Sequence, residues 1–174
     1  MKRLICIFIA LAIVALSSVS TAQSCHVYAL PMHGEQEIAV FDKPGGNILF
    51  SIADNFDQDY YHDMLITEIS GEYAYVEIEI YFDMFSDTPK RTGWVLLSDL
   101  CVRPNYNDNP LPLFSYPNYD AEIISLIYNP IWDKYRIIKC YQDWAYIEYD
   151  YEGQHYEGWL APANQCWSPI GPTN

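Results

Sequence analysis

E-Y-A-Y-V-E-I-E-I-Y-F (residues 72–82), followed by G-W-V-L-L-S-D-L-C (residues 93–101), decides the fold of this chain, because the pattern returns. Its second occurrence is D-W-A-Y-I-E-Y-D-Y (residues 143–151), followed by G-W-L-A-P-A-N-Q-C (residues 158–166). Apolar and polar residues alternate along the first segment of each copy, the period of a half-buried strand. A turn follows, then a second strand that opens on Gly-Trp and closes on Cys seven residues after the Trp.

The likeness extends outward from these segments. Phe41 and Pro44 correspond to Phe114 and Pro117. I-L-F-S-I-A-D-N, ending at Asn55, matches E-I-I-S-L-I-Y-N, ending at Asn129. L-I-T-E-I from Leu65 matches R-I-I-K-C from Arg136. Only loop lengths differ, and surface loops tolerate such changes. The chain is an internal duplication. Runs rich in Ile, Val, Tyr and Phe and bounded by Gly, Pro, Asn and Asp recur throughout, with no helical period over ten residues. The expectation is all-β, with about five strands per copy.

At the start, Lys2 and Arg3 precede an apolar run from Leu4 to Leu16, then small residues that end at Ala22. This order reads as a secretory signal peptide over residues 1–22. The alternative is a lipoprotein anchored at Cys25, whose preceding residues Ala22-Gln23-Ser24 match that signal poorly. No later run is apolar and long enough to be a transmembrane segment. The expected location is therefore outside the cytoplasm, periplasmic or extracellular.

The formal charge of −14 argues against nucleic acid, which needs clustered Lys and Arg. Cys6 leaves with the signal, and an even set remains: Cys25, Cys101, Cys140 and Cys166. In an exported chain these are read as disulfides. Cys101 and Cys166 occupy the same place in the two copies, and Cys140 stands where the first copy has Ile69. That asymmetry suggests Cys140–Cys166 within the second copy and Cys25–Cys101 within the first.

The pattern of an aromatic opening the central strand (Tyr73, Trp144), a turn, Gly-Trp and a short closing segment resembles the bacterial SH3-type (SH3b) barrel. F-D-K-P-G-G from Phe41 resembles the opening of many such domains. The resemblance implies two small SH3-like barrels in tandem. The first would cover residues 23–102 with a lead-in edge strand near Val27. A linker over 103–110 and a second barrel over 111–174 would follow. Units this small bury only about 60% of their unfolded surface, so barrel closure and a disulfide staple would both help.

For function, the sixteen Tyr and five Trp exceed what two small cores hold, and amphipathic rings suit peptide or glycan contacts. By resemblance, the groove aromatics fall on Trp144 and Tyr73, and Tyr75 and Tyr146 complete the expected ligand-binding set. The longer loops of the first copy are expected to cover its groove, so a ligand would contact the second near Trp144. Trp94 and Trp159 are expected to pack rather than bind.

The implied protein is a non-catalytic exported module for cell-wall peptide or a peptide segment of an envelope protein. Its alternative is a structural or inhibitory subunit directed at one envelope protein. No enzyme chemistry, cofactor or metal is expected. Glu77 and Glu79 read as a solvated face. Asp57, Asp59, Asp63 and Glu68 fall at positions 1, 3, 7 and 12 of a calcium loop, but His62 stands where that loop needs Gly. His26, His33, His62 and His155 are scattered in sequence, none near a cysteine in a recurring arrangement.

Overall fold

The structure, a computed structural model, describes residues 23–58, 60–80, 90–105, 109–130 and 133–166. The signal-peptide reading over residues 1–22 lies outside them, as do Asp59 and most of the loop after the first central strand.

The described chain is all-β. The first half contains β1 (Gln23–Pro31), β2 (Ile38–Phe41), β3 (Ile48–Ile52), β4 (His62–Ser70), β5 (Tyr73–Ile80), β6 (Arg91–Leu96) and β7 (Leu100–Pro104). The second contains β8 (Leu111–Phe114), β9 (Ile123–Ile127), β10 (Tyr135–Tyr141), β11 (Trp144–Tyr151), β12 (Gln154–Leu160) and β13 (Gln165–Cys166). A single 3-10 turn precedes the closing strand in each half, at Leu97–Asp99 and at Pro162–Asn164.

Strands β2 to β6 repeat in order as β8 to β12, while β1 has no counterpart. Ile38 faces Ile52 and Phe41 faces Ile48 across β2–β3; Leu111 faces Ile127 and Phe114 faces Ile123 across β8–β9. Register slips by one residue between Ile66 and Glu68 in β4, and at the same place between Ile137 and Lys139 in β10. Tyr73 and Trp144 open their central strands, and Ala74, Val76 and Ile78 turn into the core as the alternation predicts.

The halves do not separate into two closed barrels. The strands pair antiparallel along one open path, β3-β2-β6-β5-β4-β1-β7-β10-β11-β12-β8-β9, with β13 against β7. The reason lies at the centre. β1 pairs with β4 over most of its length, and its end at Leu30 and Pro31 pairs with Cys101 and Leu100 of β7. β7 in turn gives Cys101 and Val102 to β10 of the second half. The lead-in expected at a sheet edge is thus a central strand, and Arg103 and Pro104 of the expected linker belong to β7 and pair with β13. One buried cluster runs through the seam, from Val40, Ile66 and Val76 to Leu113, Ile137 and Ile147. Lys134 adds a polar tie, its Nζ donating to the carbonyls of Pro31 (2.7 Å) and Met32 (2.9 Å).

The disulfide follows this seam, and it corrects both expected pairings. Cys25 is bonded to Cys140, Cα to Cα 5.6 Å, while Cys101 and Cys166 are buried outside that bond. The hairpin turn between β10 and β11 explains it. Gln142 sits there at φ 51°, and β1 grips the turn on both sides: Gln142 N donates to Ser24 O, and His26 N donates to Gln142 O. Cys25 lies between those two bonds, beside Cys140. The equivalent turn of the first half carries Gly71 at φ 60°, where no residue pays for the left-handed conformation.

Candidate binding surface

On the outer face of each half, one residue from each of four strands lines up in a row. In the first half Glu68 faces Tyr75, Tyr75 faces Trp94, and Trp94 faces Phe41. In the second Lys139 faces Tyr146, Tyr146 faces Trp159, and Trp159 faces Phe114. The Gly before each Trp permits the approach. A Cβ on Gly93 would overlap Val40 Cγ1 and lie 3.1 Å from Phe41 O; on Gly158 it would lie 2.9 Å from Leu113 Cβ.

Ring geometry repeats with the register. Tyr75 meets Trp94 edge-on at 5.3 Å between centroids, and Tyr146 meets Trp159 at 5.2 Å. Phe41 meets Tyr73 at 5.8 Å, and Phe114 meets Trp144 at 5.5 Å. Edge-to-face pairs at such spacing are the favoured aromatic arrangement. The phenols are anchored at equivalent positions, Tyr75 to Thr92 Oγ1 (3.1 Å) and Tyr146 to Glu157 Oε1 (2.5 Å). The second bond holds the Tyr146 proton, and the phenol pKa is pushed up to about 12. At the end of this row Lys139 places its ammonium 4.1 Å from the Tyr146 ring centre and 5.5 Å from that of Trp159.

The four expected ligand-binding residues are brought together in pairs, Tyr73 with Tyr75 and Trp144 with Tyr146, and they differ in access. Tyr73, Tyr75 and Tyr146 are half-buried. Trp144 is only 7% exposed, because Tyr119 from the longer β8–β9 turn packs over it at 4.9 Å. Among the described residues the groove aromatic of the second copy is thus under cover, while residue 59 and residues 81–89 of the loops expected to cover the first lie outside them. Composition offered no sign of this. The two extra residues between Phe114 and Ile123, relative to Phe41 and Ile48, were the available signal.

The acidic loop forms a different arrangement from a calcium site. Asp54 is buried and accepts from the His62 backbone N–H (2.9 Å), with His62 Nδ1 at 3.1 Å. Asp63 faces Glu79 across β4–β5, and its Oδ1 is buried with no hydrogen-bond partner among the described residues. Burial first, then the charges of Glu79 and Asp54, push the Asp63 carboxyl up to about 7. Lys90 neutralises the outward pair, 2.5 Å from Glu79 and 3.6 Å from Glu77. Asp59 lies outside the described residues.

One histidine and one cysteine line a common cleft. His26, Tyr28, Asp143, Pro162, Gln165 and Cys166 line one cleft of about 180 Å³, with His26 Nδ1 3.1 Å from Asp143 Oδ1. β1 brings His26 to the β10–β11 turn, and β13 brings Cys166. The His26–Asp143 pair is about 60% exposed, so water screens it to a small energy.

No protein-family model, curated protein or solved structure matches this chain. Among the described residues, no helix is long and apolar enough to cross a membrane.

Proposed function

We propose that the chain is a non-catalytic exported binding protein built from two SH3-type units, and that it recognises cell-wall peptide or a peptide segment of an envelope protein. The duplicated outer row of aromatics carries this reading. Tyr75, Trp94 and Tyr146 stand half-open on the sheet surface, rigid and amphipathic, as interface anchors are, while Trp159 is buried with Phe114 and Trp144. The Cys25–Cys140 bond fits an oxidising compartment. Two linked rows would gain avidity against a repeating polymer. The SH3-type reading treats β7 as a closing strand shared with the neighbouring unit.

The test is retention of the full chain on purified cell wall. Binding that falls in Tyr75→Ala and Tyr146→Ala supports the reading. A chain that passes through unretained, with wild-type fold, overturns it.

The alternative, a subunit directed at one envelope protein, has its own observation. Tyr116 (71% exposed), Tyr128 (63%), Tyr119 (59%) and Ile123 (50%) gather on and beside β9, at the open end of the sheet. In the same experiment, retention by a single envelope protein rather than by wall polymer supports it.

A further inference from the structure

The two rows share register and ring spacing but differ in charge at the first position and in access, Trp94 being half-buried where Trp159 is buried. In the second half the row begins with Lys139, whose ammonium lies over the Tyr146 and Trp159 rings. In the first half the matching residue is Glu68, set after the same one-residue slip of register and facing Tyr75 as Lys139 faces Tyr146. The ring pair beside it has the same spacing, 5.3 Å against 5.2 Å. The phenol anchor also differs: neutral Thr92 stands where the second half has Glu157, which leaves Glu68 as the charged member of the first row.

We propose that Glu68, Tyr75 and Trp94 form a recognition site for the ammonium group of a lysine-type side chain on a partner peptide. This proposal rests on the binding reading above and names the chemistry that the first row selects. Lys139 shows where a cation settles on this framework. The aromatic faces supply the quadrupole attraction, strongest for Trp. In the first half Glu68 replaces the internal cation with a carboxylate, so the row offers a negative charge beside two ring faces. A chain of formal charge −14 draws a cationic ligand toward it. The second row is already filled from within and is assigned to apolar and polar contacts instead.

The experiment uses the full disulfide-bonded chain and two probes, the blocked tripeptides Gly-Lys-Gly and Gly-norleucine-Gly, followed by the indole N–H signals of Trp94 and Trp159 in NMR titrations. Gly-Lys-Gly is expected to shift the Trp94 signal saturably, and the norleucine peptide, which lacks only the ammonium, to bind at least about tenfold more weakly. Glu68→Lys, which copies the second row into the first, should abolish the response at Trp94. Glu68→Gln, which removes only the charge, should weaken the Trp94 response at least severalfold, so the proposal stays testable if the first variant folds poorly. Equal shifts with both peptides, or a Trp94 response unchanged in folded Glu68→Lys, overturn it. Retention on cell wall without any Trp94 response to lysine overturns this inference and leaves the binding reading standing. Loss of both overturns both.

Discussion

Cys25 and Cys140 are joined across 115 residues of sequence, so the first strand of one repeat is covalently fixed to a middle strand of the other. The bond does not staple a repeat. It locks the seam where β1, β7 and β10 meet, and any motion that parts the halves must strain against it.

Removing the bond is therefore expected to cost stability in both halves together. In the loop-entropy model, a closure this long contributes about 4 to 5 kcal/mol when unstrained. Cys25→Ser with Cys140→Ser should lower the melting temperature in one cooperative transition. Two separate transitions in the variant would show that the halves are independent units clipped together. A non-reducing peptide map should show the Cys25–Cys140 peptide.

Cys101 should be chemically silent in the folded state. It is fully buried, its thiol faces the Leu30 carbonyl at 3.4 Å, and burial pushes its pKa up to about 12. Only the thiolate reacts. Alkylation at about pH 8 is expected to leave Cys101 unmodified until denaturant is added. Native-state labelling at the rate of a free thiol would contradict the seam as described.

Gly93 and Gly158 are expected to resist substitution, and unequally. Gly93→Ala drives a methyl into Val40 and against the Phe41 carbonyl, while the tightest contacts at Gly158 are Leu113 Cβ (2.9 Å) and Ile124 Cδ1 (3.2 Å). Overpacking of this kind costs roughly 1 to 3 kcal/mol. Gly158→Ala should be the costlier of the two, because its backbone at φ 156° is strained for a side chain in addition to the close contacts. Denaturant midpoints of the two variants check the order.

Asp63 makes stability fall as pH rises. Its folded pKa lies near 7, above the ordinary carboxyl value of 3.8, chiefly from burial. Between those values the folded state holds a proton that the unfolded chain has released. The group's contribution is therefore fully present below about pH 4 and lost as pH climbs through about 7. Asp63→Asn should flatten that part of the stability profile and stabilise the protein most at neutral pH. An unchanged profile in the variant would remove Asp63 as the cause.

The strand period, the duplication and the inward set on β5 were legible in the sequence because they depend on local alternation. Side chains on a strand point to opposite faces whatever the strand pairs with, so Ala74, Val76 and Ile78 had to share a face. The row of Tyr75 and Trp94 was half legible, since both stretches showed the residues but not the register that aligns them. What only the tertiary structure decided was which edges meet. A strand edge is a line of unpaired N–H and C=O groups, and any edge of suitable length can satisfy it. β7 pairs with β1 of its own repeat and also with β10 and β13 of the second, which places β1 at the centre of the sheet. The disulfide followed from that pairing, because proximity of Cys25 to Cys140 exists only once the two repeats share a seam. The cover over Trp144 was decided the same way, by the path of a two-residue longer turn, which length alone could announce but not direct.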